Sequence, residues 1–204
     1  LENSAAIFTF VAFVTASSIY VACTWRALRM KRSQVEHVLR AAAAIAQEQS
    51  FVVVGSQAIL LPFPHAPDEL LVSMELDLYP ALHPEKADLI DGAIGALSSF
   101  DETFGYHADG VGPETAVMPA DWETRSQIFY VGDVTVICPE IHDLAVSKCV
   151  AAREKDADFV RGLLRHHMIM LDTLLQRIAL LEVGKYPVQQ LTEWARRRST
   201  EAAS

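Results

Sequence analysis

Phe51-Val52-Val53-Val54-Gly55-Ser56 and, downstream, Ser73-Met74-Glu75-Leu76-Asp77-Leu78-Tyr79 are the stretches that decide the fold of this 204-residue chain. Phe51 to Val54 is an unbroken apolar run, the pattern of a strand covered on both faces. It delivers Gly55 and Ser56 to a turn before a short helix read over Gln57 to Leu61. Backbone amides at such a turn suit a phosphate. The second stretch alternates, and the strand period of two sets Glu75 and Asp77 on one face. Neighbouring carboxylates repel unless a hard cation, a base or water stands between them, so the pair points to metal binding.

Outward from these strands the chain reads as an α/β (α+β) protein. Val35, Val38, Leu39, Ala42, Ile45 and Ala46 recur at helical spacing and give a first helix ending near Gln49-Ser50. Pro62, Pro64 and Pro67 mark a loop before a strand over Leu71 to Tyr79. A helix from Glu85 to about Leu97 sets Leu89, Ile90, Ile94 and Leu97 on one side, and Gly105 to Trp122 is rich in turns. Ile128 to Val131 and Val134 to Cys138 form a hairpin around Gly132-Asp133. Pro139 opens a long helix to about Arg165, followed by helices over Leu171 to Leu180 and Val188 to Arg198. The boundaries that follow are an apolar leader (1–29), an α/β core (30–138) and a helical C-terminal part (139–204).

With 51 % hydrophobic residues, the chain can bury a sizeable core in one domain. A net charge of −9 and a pI near 5.2 exclude a generally basic, nucleic-acid-coating surface. Cys23, Cys138 and Cys149 are too few and too unevenly spaced for a disulfide framework or a zinc site, which fits a reducing, cytoplasmic setting. Asn3 to Trp25 carries no charge and is followed by Arg26, Arg29, Lys31 and Arg32. The stretch reads three ways: a membrane anchor, an over-extended reading frame ahead of a start at Met30, or a helix packed on the domain. As an inner-membrane anchor it places the C-terminal domain in the cytoplasm. A membrane partner therefore follows only if residues 1–29 are genuinely translated.

Within the long helix, Leu144, Lys148, Ala152, Asp156 and Val160 fall at intervals of four and form one stripe. Lys148 and Asp156 are its polar members, and burying a charge without a partner is costly. Three readings stand: an internal salt bridge, side chains snorkelling at the edge of the face, or a site shared with Glu75 and Asp77.

Gly55-Ser56 after a valine strand, Glu75 and Asp77, Asp143-Leu144-Ala145-Val146-Ser147-Lys148, and Arg153 to Asp156 together resemble the bacterial nucleotidyltransferase-fold proteins. Within that superfamily the chain resembles the uncharacterised group related to AbiEii-type toxins of toxin–antitoxin systems, over about residues 30–167. The resemblance implies a small mixed sheet flanked by helices and a two-metal magnesium site at Glu75 and Asp77. It also implies nucleoside triphosphate at Gly55, Ser56 and Lys148, with Asp156 orienting Lys148 or the acceptor. The implied reaction is transfer of a nucleotidyl group to RNA (tRNA among them) or protein, with a cognate antitoxin as partner. The superfamily pattern includes a third carboxylate on a further strand. Here Asp133 falls in a turn and Asp143 at a helix start, so neither fills that place, and the gap from Ser56 to Glu75 is long.

The remaining polar and aromatic features read as structural. His166-His167 caps the long helix, His142 is a surface residue, and Arg196-Arg197-Arg198 is a solvated face beside Trp194. Phe100, Phe104, Tyr106 and Trp122 read as core. Three functions follow: a magnesium-dependent nucleotidyltransferase, a catalytically degenerate nucleotide-binding or regulatory protein of the same fold, and a membrane-tethered interaction domain.

Overall fold

The computed structural model of the chain describes residues 29–203, so the readings attached to the leader lie outside the described residues apart from Arg29 itself. Arg29 pairs with Asp68, and Met30 is fully buried with its amide donating to the Leu71 carbonyl at 3.3 Å. Among the described residues no helix is long and apolar enough to cross a membrane.

The first helix, α1 (Arg32–Ala46), buries Val35, Val38, Leu39, Ala42 and Ala46, as its 3.6-residue period dictates, and Gln47 ends it in the left-handed region. Strand β1 (Ser50–Val53) is central in a five-stranded mixed sheet. Strand β2 (Glu75–Pro80) pairs antiparallel with β1, and β3 (His107–Gly110) pairs parallel with β2 at one edge. On the other side, β5 (Val134–Cys138) runs parallel to β1 and makes a hairpin with the edge strand β4 (Gln127–Val131), turning at Gly132 and Asp133. The spatial order is β3-β2-β1-β5-β4.

The apolar run in β1 is covered on both faces, as read. Phe51 and Val53 enter the main core beneath α1, while Val52 and Val54 join Tyr79 and Ala87 on the opposite face, where Met118 and Trp122 pack against them. Helix α2 (Ala87–Ile94) lies against β3 and α1. It is shorter than its sequence pattern suggests: Ile90 and Ile94 are buried, but Leu89 and Leu97 face solvent. A one-turn helix, α3 (Ser99–Phe104), leads into β3, and α4 (Trp122–Arg125) into β4. Phe100 and Tyr106 pack with His37 as core, whereas Phe104 caps that aromatic group from a half-exposed position.

The expected long helix is two helices, α5 (Ile141–Ala151) and α6 (Glu154–Arg165). The break falls at Ala152, whose φ of 49° is left-handed, a conformation costing an L-residue about 1–2 kcal/mol. The compensation is local. Asp156 turns back to accept the Arg153 amide at 3.2 Å and the Arg153 guanidinium Nε at 2.7 Å, satisfying an otherwise orphaned donor at the start of α6. Helices α7 (Leu171–Ile178) and α8 (Val188–Ala202) pack against α5 and α6. Leu144, Leu163, Leu174, Leu191 and Ala195 belong to the same continuous core as Val38, Phe51 and Val136, so one hydrophobic interior joins the sheet to the C-terminal helices. The architecture is a nucleotidyltransferase-like α+β fold.

Candidate active site

A cleft of about 1020 Å³ opens where β1 ends, between the β2–β3 edge of the sheet and the α5–α6 break. Its lining includes every residue that the sequence assigns to the candidate site: Gly55, Ser56, Glu75, Asp77, Lys148 and Asp156. Val54 donates its amide to the Asp77 carbonyl at 2.9 Å, which holds the Gly55 turn directly against β2. Gly55 is obligatory on two counts. Its φ of 71° favours glycine, and an added Cβ would stand 1.7 Å from Asp77 Oδ2. Ser56 starts a 3-10 helix of only five residues (Ser56–Leu60), in place of the expected α-helical turn. With so short a macrodipole, the Ser56 hydroxyl and the turn amides are the groups at this turn that could hold an anion.

The third carboxylate is Asp109. The register of β2 with β3 sets His107 opposite Glu75, Ala108 opposite Leu76 and Asp109 opposite Asp77, so the acidic groups stand on one face of adjacent strands. The triplet His107-Ala108-Asp109 has the same polar-apolar-acidic alternation as Glu75-Leu76-Asp77, and that echo was the available signal. It lay hidden because β3 is four residues long, follows closely on Gly105, and consists after His107 of Ala, Asp and Gly, all weak strand formers. Asp133 is exposed in the hairpin turn, and Asp143 is fully buried outside the cleft.

Charge divides the cleft. Burial pushes the Asp77 carboxyl up to about 6; Lys148 pulls it down, but Glu75 and Asp109 push it further up. Burial and the Glu75 charge raise Asp109 as well. Burial also pushes Glu75 upward, but the Lys155 charge and the Ser73 hydroxyl outweigh it and hold Glu75 below the usual range. Lys155 Nζ lies 3.3 Å from Glu75 Oε1.

On the opposite wall, Lys148 Nζ lies 3.6 Å from Asp156 Oδ1, so the internal salt bridge exists and lines the cleft at the same time. Burial lowers the Lys148 pKa, opposed by Asp156 and Asp77. Asp156 is 1 % exposed; burial pushes it up, yet the hydrogen bonds from Arg153 and the charge of Lys148 hold it below the usual carboxylate range. The salt-bridge reading of this pair holds: Asp156 anchors Lys148 and Arg153 in the lining of the cleft that Glu75 and Asp77 also line.

The donor set of Glu75, Asp77 and Asp109 is oxygen-only, which suits a hard divalent cation such as magnesium. Among the described residues no three His, Cys, Asp or Glu side chains converge at ligating distance. The fit lies in donor chemistry, a shared strand face and the Gly55 cradle rather than in a closed cage.

The other polar residues lie in structural roles, one of them unlike the expectation. His142 is largely buried, with Nδ1 2.8 Å from Glu140 and Nε2 accepting the Met170 amide at 3.0 Å, because it pins the segment between α6 and α7. His166 is the C-cap residue of α6 as expected, its amide donating to the Gly162 carbonyl at 3.0 Å, and its ring also reaches Glu69 at 2.7 Å. Arg198 lies over Trp194 at 5.1 Å and pairs with Glu201 at 2.7 Å.

The family described as "Nucleotidyltransferase of unknown function (DUF6036)" has a model that matches residues 32–194, and the chain belongs to that family. No curated protein and no solved structure matches the chain.

Proposed function

We propose that this member of a nucleotidyltransferase family is a magnesium-dependent enzyme that moves a nucleotidyl group from a nucleoside triphosphate to a hydroxyl on RNA (tRNA included) or protein. The observation that carries the proposal is the pairing of Asp77 with Asp109 beside Glu75, facing Lys148 across one cleft. Asp109 supplies the strand-borne third carboxylate whose lack would favour the degenerate binding protein.

Glu75, Asp77 and Asp109 would hold magnesium in a two-metal arrangement, which when bound neutralises phosphate charge and makes the acceptor hydroxyl a better nucleophile. The chain's own groups do the rest. The Gly55 turn and the Ser56 hydroxyl bind and orient the phosphates at the end of β1. Lys148, held by Asp156, offsets the charge that develops on the leaving pyrophosphate. Asp156 positions this cation without touching substrate, and the buried setting of both residues keeps water from weakening it. The toxin half of a toxin–antitoxin pair, related to the AbiEii type and held by a cognate antitoxin, is the biological setting we assign.

The test incubates the protein with magnesium, each labelled nucleoside triphosphate in turn, and total RNA or lysate protein. The expected result is label on a macromolecule with wild type and none with Glu75→Gln or Asp77→Asn. Undiminished transfer by Glu75→Gln overturns the assignment of the site. Nucleotide binding without transfer by wild type establishes the degenerate alternative.

A further inference from the structure

Lys155 sits in the first turn of α6, at the positive end of the helix macrodipole, where a cation is disfavoured. Its head nevertheless reaches across the cleft to Glu75 on β2, 3.3 Å away. The charge of this lysine bears chiefly on Glu75 and, more weakly, on Asp77 and Asp109 beside it. Its hold is weak: the Lys155 side chain is 61 % exposed and that of Glu75 30 %, and exposed pairs are easily exchanged.

The other cations lining the cleft are committed elsewhere. Lys148 and Arg153 pair with Asp156, Arg161 with Asp158 and Glu201, and Arg165 with Glu69. A triphosphate entering the cleft meets basic side chains already engaged with protein carboxylates. Lys155 is the one whose partner has a competing use.

We propose that Lys155 is a stand-in cation: it occupies the acidic face through Glu75 in the metal-free protein, and a divalent cation arriving there displaces it toward the phosphates of the nucleotide. This rests on the metal reading given above and deepens it by making metal binding the step that releases a phosphate-binding side chain. Lys155 is thus a positioning residue for the empty site and a binding residue for the filled one. The two roles give one substitution opposite effects on two ligands.

The experiment titrates wild type, Lys155→Met and Lys155→Arg with Mn²⁺ alone, followed by electron paramagnetic resonance. It then titrates the Mn²⁺-saturated proteins with a non-hydrolysable nucleoside triphosphate analogue, followed by calorimetry. Lys155→Met is expected to bind Mn²⁺ about threefold more tightly and the analogue about tenfold more weakly, with Lys155→Arg restoring both toward wild type. Circular dichroism and melting temperature check that the exposed substitution leaves the fold unchanged. Wild type that binds Mn²⁺ while Lys155→Met binds it no better overturns this inference alone. Wild type that binds no Mn²⁺ overturns both the inference and the metal reading beneath it.

Discussion

Burial raises the pKa of both Asp143 and Asp77, yet their surroundings are opposite. Asp143 on α5 is fully buried between two arginines, with Arg125 Nε at 2.7 Å from Oδ2 and Arg177 Nε at 3.2 Å from Oδ1. The first contact is a hydrogen bond; the second is an ion pair with poor hydrogen-bond alignment, since both of its atoms lack a geometric partner. Asp77 instead stands beside Glu75 and Asp109, and among the described residues no basic side chain makes an ion pair with it. Lys148 reaches it only through its charge. One carboxylate is built into the fold with its counter-charges; the other stands among like charges, with Lys148 and Lys155 bearing on it only through their charge, as the metal-binding role proposed for it requires. The difference separates a structural acid from a proposed binding acid more sharply than burial or pKa can.

Substitutions can break that contrast in order of expected effect. Asp143→Ala leaves the partly buried Arg125 and Arg177 without their counter-ion and should destabilise the protein by about 3 kcal/mol in urea denaturation. Gly55→Ala forces a Cβ into Asp77 Oδ2 at a left-handed φ, so a loss of about 2 kcal/mol is expected, together with loss of metal binding as Asp77 is pushed aside. Asp77→Asn acts in the opposite direction on stability. The Asp77 pKa of about 6 lies above its ordinary value of 3.8, so its contribution to stability is fully present below about 3.8 and is lost as pH rises to about 6. At pH 7 the metal-free Asn variant should therefore be more stable than wild type, by on the order of 1 kcal/mol, and that part of the pH dependence should vanish from its melting curves. Glu75→Gln, at a side chain 30 % exposed and held by the Lys155 pair and the Ser73 hydroxyl, should shift stability by less than about 0.5 kcal/mol while abolishing the proposed transfer.

How far the sequence could carry the reading differs between these same regions. Strand β1, the Glu75/Asp77 alternation and the β4–β5 hairpin were legible because each is set by a period of two or by a turn dipeptide. Asp109 was not, because a four-residue edge strand made of weak strand formers owes its existence to pairing with β2. The break between α5 and α6 was equally hidden. Apolar spacing runs through Ala152 without a glycine or proline, and only the return of Asp156 to Arg153 shows why the chain turns there. Lys148 and Asp156 were found through a stripe that the break interrupts at an exposed Ala152, yet they still face each other across it. Nothing in the spacing could link Lys155 to Glu75, since the contact joins positions 80 residues apart.

The central claim, that the unpaired Asp77 face is kept for a divalent cation, is tested most directly by the melting temperature of wild type, Asp77→Asn and a surface control, Lys185→Gln, with and without millimolar magnesium at pH 7. Magnesium should raise the melting temperature of wild type and of the control and leave Asp77→Asn unmoved. Equal rises in wild type and Asp77→Asn, or no rise in wild type, would contradict the account.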